Sequence, residues 1–101
     1  GEGKSGDKEL PVSGAFTNTS FFKVFGFKLK SGNAATVFST PNSIVLTSET
    51  AQRFFGNGAA VGKTIQMGKL GTYVVSGVLA PAPAKSHIVY DAFVSMLCRS
   101  G

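Results

Sequence analysis

The stretch "GNGAAVGKT" (56–64) carries the residue types of a phosphate cradle, with glycines followed by Gly-Lys-Thr. A nucleotide P-loop needs Gly, four residues, then Gly-Lys-Ser/Thr. Its backbone N–H groups then curl around the phosphates and the Lys reaches the outer ones. The position where the first Gly is required holds Asn57, flanked by Gly56 and Gly58. Asn tolerates left-handed backbone, so this departure alone does not exclude the chemistry. Other reactive groups are scarce. His87 is the sole histidine, and Ser86 beside it would face the opposite side of a strand. Cys98 is the sole cysteine, which rules out an intrachain disulfide. Three of the five carboxylates fall in the first nine residues, which leaves Glu49 and Asp91 as a weak acid–base pair. Metal sites draw three or four ligands from one cluster. No catalytic constellation, metal site or cofactor is expected.

The elements around the glycine loop decide its meaning. A P-loop follows a strand and opens a helix, whose positive end faces the anion. Here "SETAQRFF" (48–55) comes first and reads as a helix. Thr47 or Ser48 can cap it, and Glu49 sits in the first turn, where the dipole favours a carboxylate. Ala51, Phe54 and Phe55 have helical spacing, and Gly56 stops the run. "KTIQM" (63–67) alternates and reads as a strand. The loop therefore leaves a negative helix end and enters a strand. That is a connection using Gly for its turns rather than a cup for phosphate.

The remaining segments read as a small α+β domain, a mixed sheet with two or three short helices and a β-hairpin in the C-terminal half. Its 101 residues fit one domain, and 43% hydrophobic content with nine Phe fits a folded one. Residues 1–10 read as a loose polar arm, 11–97 as the domain and 98–101 as a tail or cloning remnant. "PVSGAFT" (11–17) reads as a first strand. "NTSFFKVFGF" (18–27) reads as a short capped helix that drives two or three of Phe21, Phe22 and Phe25 into a core. "FKLKSGN" (27–33) alternates and then turns, and "AATVFSTPN" (34–42) connects. "SIVLT" (43–47) reads as a strand buried on both faces. "KTIQM" and "TYVVSGVLA" (72–80) flank "GKLG" as a hairpin. The second of these strands reads as central, with Tyr73, Val75 and Leu79 on one face, Val74 and Val78 on the other, and Gly77 marking a bulge or close approach. "PAPAKS" (81–86) reads as an extended connector and 87–97 as a last strand. On that strand Ile88, Tyr90, Ala92 and Val94 lie on one side, and Val89, Asp91, Phe93 and Ser95 on the other.

The net charge is +5, from ten basic and five acidic residues. The cations are scattered, and only Lys28 and Lys30 cluster. A nucleic-acid face shows a denser stripe with aromatics interleaved, for which "FFKVFGFKLK" (21–30) is the one counter-case. No apolar run reaches the length of a membrane span. The absence of a starting Met and of a signal peptide points to a domain cut from a longer chain.

Four blocks in order, "FFKVFGFKLKSGN", "PNSIVLTSETAQRFFG", "VGKTIQMGKLGTYVVSGVL" and "SHIVYDAFVSM", resemble the periplasmic core domain of MacB/FtsX-type ABC transporter permeases. The resemblance runs from about Ser13 to Leu97 and is carried by the order and spacing of the blocks. It implies a non-catalytic extracytoplasmic domain of a membrane protein, the smaller α/β lobe of a two-lobed region. Its job would be to meet a periplasmic or outer-membrane partner or cargo and to transmit conformational change. Its partners would be the transmembrane helices and porter-like lobe of the permease, with an ATPase acting through the membrane part. Lys28 and Lys30, together with Lys69 and Leu70 at the hairpin tip, are the candidate partner contacts. The alternatives are a nucleotide-binding domain built on residues 56–64 and a basic nucleic-acid-binding module.

Overall fold

The computed structural model describes residues 2–81 and 90–95; the side chains of Thr19, Phe21, Phe25 and Lys69 lie outside that description. Eight strands form one mixed sheet: β1 (Glu2–Ser5), β2 (Lys8–Pro11), β3 (Gly14–Thr17), β4 (Leu29–Gly32), β5 (Ser43–Leu46), β6 (Thr64–Gln66), β7 (Thr72–Leu79) and β8 (Ala92–Ser95). Their order is β2-β1-β6-β7-β5-β8-β3, with β4 also paired to β7. Two helices accompany them, α1 (Thr19–Phe25) and α2 (Ser48–Phe55). The α+β reading with its mixed sheet holds.

The local signals explain most of these elements. Asn18 caps α1 by accepting from the Ser20 N–H at 3.0 Å, and Gly26 ends it in left-handed backbone. Thr47 caps α2 through the Thr50 N–H, and Glu49 and Arg53 pair one turn apart on its exposed side. β5 is buried along its whole length, as its unbroken aliphatic run requires. It is sandwiched between β7, to which it is parallel, and β8, to which it is antiparallel. β6 and β7 are antiparallel, joined through a 3₁₀ turn at Gly68–Leu70.

Two apolar clusters lie on the two faces of the sheet. One gathers Ile44, Leu46, Tyr73, Val75, Ala92 and Val94 under Ala51 and Phe54 of α2. The other gathers Val45, Leu79 and Phe93 under Phe22 of α1. The alternation read for the last strand matches this division at Ala92, Phe93 and Val94, whereas Tyr90 precedes β8 and its ring meets Phe93 at 6.2 Å instead of joining the Ala92 side. The face reading for β7 needs correction, because Val78 joins Tyr73 and Val75 while Leu79 lies in the other cluster. The cause is a bulge. Ile44 pairs with Val75 but Val45 pairs with Gly77, which leaves Ser76 as the extra residue. One inserted residue exchanges the faces of everything after it. The Ser76 hydroxyl donates to the Val37 carbonyl at 2.6 Å across this irregularity. A Cβ on Gly77 would come within 2.9 Å of Val37 and 3.1 Å of the Ser31 carbonyl, so the strand needs a glycine there.

Two further expectations change. Residues 1–10, read as a loose arm, contribute the antiparallel β1–β2 hairpin, whose first strand pairs with β6 at Lys4 and Gln66. The hairpin's inward contacts are Leu10, which packs half-buried on the α2-side cluster, and Gly3, where a Cβ would meet Val12, Ile65 and Phe54 at 3.0–3.2 Å. The connection at 34–42 contributes two buried residues, Val37 and Phe38, to the α1 cluster. Of the Phe residues assigned to the first helix, Phe22 is buried and its ring meets Phe38 and Phe93 at 5.4 and 5.6 Å. The burial expected of Phe21 and Phe25 concerns side chains outside the described set. The expected connector at 81–86 falls almost wholly outside the described residues, as do the start and end of the last strand, His87, Cys98 and the 98–101 tail.

Candidate partner-contact surface

The glycine loop is a link between α2 and β6, and the N–H groups of its three glycines and of Lys63 are already engaged. Gly56 donates to the Gln52 carbonyl at 2.8 Å and Gly58 to that of Phe55 at 3.2 Å. Gly62 donates to Val75 at 2.9 Å and Lys63 to Ala60 at 3.0 Å. A phosphate cradle needs such groups free and converging beside a helix N-terminus. Here they satisfy the carbonyls of a helix C-terminus and of a strand, with partial negative charge nearby.

The remaining candidate chemistry is dispersed. Asp91 is a structural anchor, since its carboxylate accepts from the Ser13 N–H at 3.0 Å. Glu49 pairs with Arg53 rather than with Asp91. Among the described residues, no three His, Cys, Asp or Glu side chains gather as a metal site would require. No helix among them is long and apolar enough to cross a membrane.

Lys28 and Lys30, adjacent in the sequence pattern, are separated by the fold. Leu29 pairs with Leu79 and Ser31 with Val78, so Lys30 is the extra residue of a bulge in β4. A bulge re-aims the side chain it carries. Lys28 accordingly lines a groove with Phe22, Phe27 and Leu29, beside α1. Lys30 lines a second groove with Ser48, Gln52 and residues Gly56–Ala60, along α2. Both lysines are exposed.

Leu70 is exposed in the turn that leads into β7 at Thr72. The backbone of Lys69 lies in the same turn. The Lys28 carbonyl accepts from Ala80, just past the other end of β7. An eight-residue strand spans about 23 Å between those ends. The hairpin tip and the Lys28–Lys30 segment are thus two surfaces, not one patch. The groove beside α1 was not foreseen as a cavity. Its signal was the Phe–Lys interleaving of 21–30, followed at once by the small residues Ala34 and Ala35.

A mixed sheet with a helix on each face, and a glycine loop tied into its own backbone, defines a small non-P-loop α+β module. The family model for the MacB-like periplasmic core domain matches residues 2–97, and the chain belongs to that family. It is therefore a periplasmic domain of a MacB-like ABC transporter permease.

Three solved structures share the fold. One is a domain of a putative permease protein from Porphyromonas gingivalis, with TM-score 0.76 at 17% identity, covering 94% of this chain and 45% of that one. The periplasmic region of MacB from Actinobacillus actinomycetemcomitans gives 0.72 at 23%, covering 94% and 43%. The extracellular domain of the noncanonic ABC-type transporter YknZ from Gram-positive bacteria gives 0.73 at 15%, covering 93% and 48%. The chain thus spans less than half the length of these structures. No curated protein matches the chain in sequence.

Proposed function

We propose that the chain is a non-catalytic interaction module of an ABC permease, which meets a partner or cargo outside the membrane and passes on conformational change. The observation that carries this reading is the family match over residues 2–97. It is supported by a glycine loop whose Gly56, Gly58, Gly62 and Lys63 N–H groups are used within the fold. The partners in this reading are the rest of the permease, an ATPase acting through its membrane part, and a periplasmic or outer-membrane protein. The contacts we assign are Lys28 and Lys30 on one surface, and Lys69 and Leu70 on the other. The nucleic-acid alternative is disfavoured because Lys28 and Lys30, the one basic cluster of the sequence, line two different grooves rather than one stripe.

The test is a pull-down from envelope extract with the full extracytoplasmic region as bait. Lys28→Glu with Lys30→Glu, and separately Leu70→Ser with Lys69→Glu, should each lower partner capture or transport. If both variants fold and both leave capture and transport unchanged, the assignment of these contacts is wrong.

A further inference from the structure

We propose that the groove between α1 and β4 binds an amphiphilic anion, a small molecule with one apolar chain or ring body and one negatively charged head. This goes beyond the interaction role above and does not depend on it, because it rests on the groove itself.

The groove is half open to solvent and offers about 640 Å³, within the range of small-ligand sites. Among the described residues its lining is Phe22, Phe27, Leu29, Gly32, Ala34 and Ala35, with Lys23 and Lys28 as the charged side chains. Phe22 is buried and Phe27 and Leu29 are half-buried, which makes an aromatic and aliphatic floor. Ala34 and Ala35 are exposed, and their methyl groups leave the space above that floor open. A turn holds them in place, with the Asn33 side chain accepting from the Ala35 N–H at 2.9 Å.

The charge is one-sided. Among the described residues no carboxylate lines the groove, and the one ion pair is that of Glu49 and Arg53. Lys23 and Lys28 can lay their methylene stems along the apolar wall and keep their ammonium groups at the rim. That arrangement suits a ligand whose body is apolar and whose head is anionic. An extended peptide along β4, which pairs on one side with β7, is the competing occupant that the test below separates.

The probe is decanoate, titrated into the full chain below its micelle concentration and followed by methyl and amide NMR. Saturable shifts confined to Leu29, Ala34 and Ala35 are expected, with decanol binding more weakly. Lys23→Gln with Lys28→Gln should weaken decanoate by about fivefold, the size of two exposed charge contacts. Ala35→Leu should fill the groove and abolish the shifts, with circular dichroism checking that it folds. The site is overturned by shifts that do not saturate or that spread across the sheet. It is equally overturned if decanol matches decanoate, if the double lysine variant binds as well as the parent, or if an acidic apolar peptide occupies the same residues more tightly.

Discussion

Ser13 and Asp91, 78 positions apart, exchange two hydrogen bonds: the Ser13 N–H donates to the Asp91 carboxylate at 3.0 Å, and the Asp91 N–H donates to the Ser13 carbonyl at 2.7 Å. Asp91 also accepts, at its carbonyl, the N–H of Thr47, the cap of α2. One residue thus fixes the entrances of β3, β8 and α2. Asp91→Ala should cost about 1 kcal/mol in urea unfolding, and Asp91→Asn, which keeps an acceptor oxygen, should cost less. Equal losses for the two would show that the carboxylate oxygen is not what matters.

Gly77→Ala should destabilise the chain by roughly 1–3 kcal/mol, because the added methyl meets Val37 and the Ser31 carbonyl at the bulge. Thermal unfolding measures this. A neutral substitution would mean that β4 and the 34–38 connection yield easily to β7.

Gly3→Val tests the N-terminal hairpin. Its side chain would press on Val12, Ile65 and Phe54, and a loss of roughly 1–3 kcal/mol is expected. A free arm would tolerate the change with no shift in the unfolding midpoint.

Phe93→Ala should be the most damaging of these substitutions, at about 3–5 kcal/mol, because the ring is fully buried against Phe22. Urea unfolding checks the ranking against Gly77→Ala.

Mg-ATP should leave the amide resonances of Gly56–Thr64 unperturbed at millimolar concentration. Saturable micromolar shifts there would restore the nucleotide reading.

The legible parts of the fold were those written in short-range pattern. Asn18 and Thr47 announce their helices because a cap is a local hydrogen bond, and Ser43–Leu46 announces a buried strand because its aliphatic run is unbroken. The direction of the glycine loop followed from the order of its neighbours. The β1–β2 hairpin was hidden because the inward contact of β1 is a glycine, and Leu10 is a lone apolar residue in β2 that makes no alternating pattern. The face exchange in β7 was hidden because a bulge arises from how two strands meet, although Gly77 marked the place. The separation of Lys28 from Lys30 has the same origin, in the pairing of β4 with β7.

β7 is anchored above the sheet by Tyr73 and Val75 and below it by Leu79, with the crossover at Ser76. A single covalent thread therefore runs through both apolar layers, and neither can slide over the other without dragging the same backbone. A load placed on one apolar layer is therefore felt in the other through the backbone at Ser76.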